Sequence, residues 1–172
     1  MLNQMLEYTD SLTLQTDDIE QALYYVFKSK ETLDHLHGVD NYSPPEWDGN
    51  KRKIKYNLPT DNVPEMFQFL IGGEKIKAKA KSEVEYTSQG AIVRIKVIPK
   101  IIGSSLIKIK PIYTFIKQAN QTIQLDLYFK IKIHLPDDIQ KKSEAFIFER
   151  MKEHTKFLRE ILEKQNILAI SS

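Results

Sequence analysis

Between Lys51 and Leu135 the chain alternates apolar and polar side chains in five runs, the pattern of strands with one buried and one wet face. Ile54, Tyr56 and Leu58 alternate with Lys53, Lys55 and Asn57. Ile76, Ala78 and Ala80 alternate with Lys75, Lys77, Lys79 and Lys81, and Val93, Ile95 and Val97 with Arg94 and Lys96. Ile107 and Ile109 face away from Lys108 and Lys110 until Pro111 intervenes. The last run is the clearest: Ile123, Leu125, Leu127, Phe129, Ile131, Ile133 and Leu135 make one uninterrupted apolar face. Leu6 to Leu14 alternates more loosely and predicts a further strand ending at Thr16.

Helical periodicity brackets the strands. Asp17 is the expected N-cap of a first helix, with Glu20 at capping-box spacing and Ile19, Leu23, Val26 and Phe27 on one stripe. A second short helix, SKETLDHLHG, is expected to end at Gly38, and residues 41–49, with Pro44-Pro45, read as a loop. A long helix starts at Pro136-Asp137-Asp138 and runs to about Gln165. Its apolar seam is Phe148, Met151, Thr155, Leu158 and Leu162. The order is strand, one or two short helices, five or six antiparallel strands, then the long helix. A sheet with one apolar face needs a cover, and the last helix is the longest available. The pattern predicts an α+β helix-grip fold over residues 1–172 as one domain.

That order, with three local patterns, resembles the START-like superfamily, also called the helix-grip, birch-pollen-allergen-like or SRPBCC fold. The entry strand followed by TDDIEQALYYVFKSKETL is similar to the superfamily's strand, helix and short helix. WDGNKRKIKYNLP resembles the arginine-bearing second strand of VASt-type sterol-transfer members. VPEMFQFLIGGEKIKAKAKSEVEY resembles a Pro-led amphipathic segment of some bacterial members. The resemblance implies a hydrophobic cavity between sheet and C-terminal helix, in a superfamily whose members carry lipids, sterols or aromatic polyketides. Such an analogy sets an expectation about the fold, not the ligand.

The 172 residues include no cysteine, which excludes a disulfide scaffold, a cysteine zinc site and a thiol nucleophile. The N-terminal stretch has no signal-peptide pattern and no window approaches a membrane span, so a soluble, intracellular, cytoplasmic protein is expected. His35, His37, His134 and His154 have no metal spacing, and no HExxH, phosphate loop or Gly-x-Ser-x-Gly elbow occurs. Asp17-Asp18 and Asp137-Asp138 stand at helix starts, where carboxylates are expected on electrostatic grounds. No catalytic residue, metal or cofactor is assigned.

The parities nominate a ligand cavity lined by Ile76, Ala78, Val93, Ile95, Ile107, Ile109, Leu125, Leu127 and Phe129 from strands. From the helix they nominate Phe148, Met151, Thr155 and Leu158. A dry core of the same residues is the competing reading. Thr155 and His154 are either ligand-orienting or simply bonded to backbone and solvent. Trp47, with Met66, Phe67, Phe69 and Leu70 in the segment Val63 to Gly73, is a candidate gate or membrane contact; packing at the sheet edge or a short buried helix is the alternative.

Charge is distributed unevenly. Residues 1–40 carry two basic and eight acidic groups, residues 41–136 sixteen and eight, and residues 137–172 seven and seven, which sum to +2. The basic groups fall on the polar parity of the strands: Lys53, Lys55, Lys75, Lys77, Lys79, Lys81, Arg94 and Lys96, then Lys108, Lys110, Lys130 and Lys132. Solubility and protection from edge pairing rank first as their role, docking on an anionic membrane or a protein partner second, nucleic acid third. Only Tyr113, Phe115 and Tyr128 are expected to accompany them as aromatic rings. The leading expectation is non-enzymatic binding or transfer of a lipid- or sterol-like ligand. The alternative is an interaction protein with a filled core and a working charged surface, and the third reading is a polyketide cyclase-like enzyme.

Overall fold

In the computed structural model, residues 4–58, 76–100, 107–134 and 136–169 are described. Seven strands form one antiparallel sheet in the order β1-β7-β6-β5-β4-β3-β2. They are β1 (Gln4–Leu14), β2 (Glu46–Asp48), β3 (Lys51–Leu58), β4 (Ile76–Tyr86), β5 (Gly90–Pro99), β6 (Ile107–Lys117) and β7 (Ile123–Ile133). Two short helices, α1 (Ile19–Leu23) and α2 (Lys30–His37), follow β1, and a 28-residue helix α3 (Asp137–Lys164) closes the chain. The sheet curves around α3, which is the helix-grip arrangement that the element order predicts.

Each strand buries one parity. In β7, Ile123, Leu125, Leu127, Phe129, Ile131 and Ile133 are all buried, while Gln124 to Lys132 on the other parity retain exposure. The inner parity of β6 runs from Ile109 through Pro111 to Tyr113 and Phe115, so both aromatic rings are in the core and not among the outer lysines. Only Tyr128 of the three expected rings stands on the outer face.

Two local expectations shift. The N-cap of α1 is Asp18, not Asp17: its carboxylate accepts from the amides of Glu20 and Gln21. The first helical stretch also stops early, because Tyr24–Lys28 winds as a π turn closed by Ser29 N–H on the Tyr24 carbonyl. Ser29 then caps α2, and Gly38 ends it with φ 88°, a left-handed conformation suited to glycine. The 41–49 loop contains the short strand β2, which pairs Trp47 with Arg52.

After α3 the chain turns back along β1. Leu14 and Leu168 form an antiparallel bridge, Gln15 N–H donates to the Ile167 carbonyl, and Ala169 N–H donates to that of Thr13. The otherwise open edge of β1 is thereby partly covered. Among the described residues no helix is long and apolar enough to cross a membrane.

Candidate functional site

The concave face of the sheet is filled unequally. Toward the α1 end, Phe27 of the π turn packs its ring against Tyr113 (5.2 Å between centroids) and Phe115 (6.2 Å). Leu158, Ile161 and Leu162 of α3 are buried in the same cluster. Toward the other end a cavity of about 510 Å³ remains, within the usual range of small-molecule sites. It is bounded by the end of α2, by the middle of α3 from Phe146 to Phe157, and by β3, β4, β5, β6 and β7 where they approach Leu58, Ile76, Pro99, Ile107 and Ile131.

Five of the cavity candidates stand on its wall: Ile76, Ile107, Ile109, Phe129 and Met151. The others are elsewhere, for identifiable reasons. Val93, Ile95, Leu125, Leu127 and Leu158 are buried in the packed core and do not reach the cavity wall. Ala78 is opposite Tyr56 in the β3–β4 register, and the larger Tyr56 side chain reaches the cavity in its place. Phe148 lies edge-on to Tyr8 of β1, 5.4 Å between centroids. Thr155 is turned back into α3, its hydroxyl donating to the Met151 carbonyl at 3.1 Å. Trp47 is on β2, half-buried under the Lys28 ammonium, and borders a separate cleft of about 250 Å³. Met66, Phe67, Phe69, Leu70 and Lys75 lie outside the described residues.

The wall includes polar groups that alternation does not nominate. His37 ends α2 and lies over the Tyr56 ring, 4.4 Å between centroids. Asn41 ties the following turn to β3: its amide donates to the carbonyls of His37 and Asn57, and its Oδ1 accepts from the Asn57 amide. From α3 come His154 and the ion pair Arg150–Glu153 at 3.0 Å. The His154 Nε2 and the Tyr113 hydroxyl share a hydrogen bond of 2.7 Å.

Electrostatics set the state of this wall. His154 is half-buried on the cavity wall, its ring packed against Phe129 and bonded to Tyr113. Burial holds its pKa down to about 4. Burial, with the nearby His154 and Arg52, takes His37 down to about 3. Both imidazoles are therefore neutral near pH 7. Burial raises the Tyr56 phenol to about 12 and the Tyr113 phenol further, so both hydroxyls stay protonated.

Behind the wall is Arg52, 7% exposed. Its Nη1 donates to the Phe27 carbonyl and its guanidinium lies 5.1 Å from the Phe27 ring centroid. Burial lowers its pKa to about 10, which still leaves it charged. Its parity with Ile54 and Tyr56 puts it on the inner face, the signal by which alternation marks it. Among the described residues no group of three or more His, Asp or Glu side chains could hold a metal ion.

Comparison with solved structures gives the fold. The Zhui aromatase/cyclase of Streptomyces sp. R1128 superposes with a TM-score of 0.65 at 7% identity, over 94% of this chain and 93% of that one. Protein SA2116 of Staphylococcus aureus, of unknown function, gives 0.60 at 11% identity over 95% and 97%. A point mutant of norcoclaurine synthase from Thalictrum flavum gives 0.58 at 10% over 96% and 99%. At such identities the likeness shows the helix-grip fold alone. No family model and no curated sequence matches.

Proposed function

We propose that this protein binds an apolar small molecule in the cavity between sheet and α3, with one polar group of that molecule against His37 and His154. The observation that carries the reading is the 510 Å³ cavity itself: Ile76, Ile107, Ile109, Ile131 and Met151 furnish apolar wall, while two neutral imidazoles furnish hydrogen bonds without charge. A hydroxyl or carbonyl group suits such a wall, since a neutral imidazole has one donor and one acceptor nitrogen, of which His154 shares Nε2 with Tyr113 and keeps Nδ1. Lipid- and sterol-like molecules are the ligand class this favours. The cavity speaks against the filled-core alternative.

Native mass spectrometry and solvent extraction of the purified protein, with titration of 1-anilinonaphthalene-8-sulfonate, test this. The dye is expected to bind, and the pair Ile109→Trp and Met151→Trp to weaken it at least tenfold while the fold persists. Absence of dye binding together with absence of any extracted molecule overturns the reading.

One observation favours a second reading, catalysis of the cyclase kind named for the Streptomyces neighbour. The Tyr113 hydroxyl and His154 Nε2 are hydrogen-bonded to each other beside the apolar cavity. Turnover of a polyketide chain that Tyr113→Phe abolishes, with dye binding intact, would support it. Binding without turnover leaves the carrier reading.

A further inference from the structure

The outer face of the sheet carries lysines that the strand register brings into two straight rows. In the first, Lys53 is opposite Lys81 and Lys81 opposite Lys96. The register that pairs Arg94 with Ile112 and Val97 with Ile109 sets Lys96 beside Lys110, which is opposite Lys130. In the second row Lys55 is opposite Lys79, Lys79 opposite Ile98, Ile98 beside Lys108, and Lys108 opposite Lys132. Nine lysines thus stand on five adjacent strands, two on each of β3, β4, β6 and β7, spaced two residues apart, and Lys96 alone on β5. Of these nine, among the described residues, only Lys53 has an ion-pair partner, Glu46 at 3.2 Å, and the first row ends with Lys130 opposite Glu7 of β1.

Like charges directly opposite across strands destabilise a sheet. Solubility alone does not call for this pattern, because interspersed Glu and Lys keep a surface equally soluble and relieve the repulsion. A partner that supplies negative charge over the whole patch does.

We propose that this face docks on an anionic membrane surface. Three observations select a membrane over other polyanions. The face is the convex side of a curved sheet, and a nucleic-acid duplex is itself convex, so the two would touch over few phosphates. Mobile lipid headgroups can instead gather beneath a convex patch. Every cation in the two rows is a lysine, lacking the planar fork with which arginine grips phosphates and bases bidentately. Among the described residues the outer face carries one aromatic ring, Tyr128, which leaves single-stranded nucleic acid without a stacking platform. Charge spread over many flexible ammonium groups suits delocalised attraction to anionic headgroups.

Co-sedimentation with vesicles tests the inference. The intact protein is expected to bind phosphatidylcholine vesicles containing about a third phosphatidylserine at least tenfold better than pure phosphatidylcholine, and to release in 0.5 M salt, where charge interactions between exposed groups are screened. Replacing Lys81, Lys96, Lys110 and Lys130 by Gln is expected to remove at least nine-tenths of that binding. Replacing Lys141, Lys142, Lys152 and Lys156 on α3 by Gln removes the same charge and is expected to leave it within twofold. Thermal melts confirm that both variants fold. Equal binding to both vesicle types, equal loss in the two variants, or tighter binding to duplex or single-stranded DNA than to the anionic vesicles overturns the proposal. Ile109→Trp with Met151→Trp should leave vesicle binding unchanged, so this result and the cavity result stand or fall separately.

Discussion

Arg52 of β3 donates from Nη1 to the Phe27 carbonyl at 3.0 Å, fastening the inner face of the sheet to the π turn. The π winding shifts the usual helical hydrogen bonds, and its carbonyls find other donors: Arg52 takes that of Phe27, and the Thr32 hydroxyl takes that of Tyr25 at 2.6 Å. Among the described residues the Arg52 Nε is buried without an acceptor. Arg52→Ala should therefore cost about 3 kcal/mol, combining a lost charged hydrogen bond with a void. Arg52→Met should cost about 1 kcal/mol, since it keeps the packing and removes a buried charge that has no carboxylate partner among the described residues. Urea unfolding of the two variants checks the difference, and equal losses would contradict it.

Stability should fall in mild acid. His154 and His37 have folded pKa values of about 4 and about 3, below the ordinary value near 6.5. Above pH 6.5 both states are neutral and the groups contribute nothing to pH dependence. As pH falls from there toward 4, the unfolded chain takes up protons that the folded one refuses, and stability is lost by on the order of 1–3 kcal/mol per group. The loss levels off once the folded imidazoles themselves titrate. His154→Asn should flatten the drop between pH 6.5 and 4.5, as read from unfolding midpoints, with His37 accounting for what remains.

Gly90 starts β5 opposite Ile116. A Cβ there would lie 1.9 Å from the Phe115 carbonyl oxygen, a main-chain atom that cannot move aside without breaking the β5–β6 pairing. Gly90→Ala should destabilise by about 3 kcal/mol or more. Gly49→Ala, with open space around the site and a positive φ of 59°, should cost about 1 kcal/mol. Thermal melts of the two side by side make the comparison.

Phe157 borders the cavity and is 39% exposed, its ring edge-on to His35 at 5.7 Å. Half-exposed, it contributes little to the core, so Phe157→Ala should cost about 1 kcal/mol or less. It should nonetheless weaken dye binding several-fold by removing part of the wall. Loss of stability without change in dye affinity would contradict the prediction.

Strand parity was readable from residues alone, because side chains alternate every two residues whatever the strand packs against. The buried run Ile123 to Ile133, the outer lysines and the inward Arg52 all follow from that local repeat. The α1 cap slipped by one residue because Asp17 and Asp18 offer the same carboxylate and only the fold of Thr16 to Gln21 decides between them. Tyr113 and Phe115 share the parity of Ile107 and Ile109 and so face inward, not among the lysines as expected.

Local patterning alone therefore establishes the order of elements, the two faces of each strand and the sign of the outer face. Tertiary structure decided which inward residues meet empty space. That depends on Phe27, Leu158 and their neighbours filling one end of the grip and leaving the other to His37, His154 and Met151. It also decided that the lysines stand in rows, since register is a relation between strands far apart in sequence. Periodicity is a property of one segment; cavities and registers belong to pairs of segments, and the energy that selects them appears only once those segments touch.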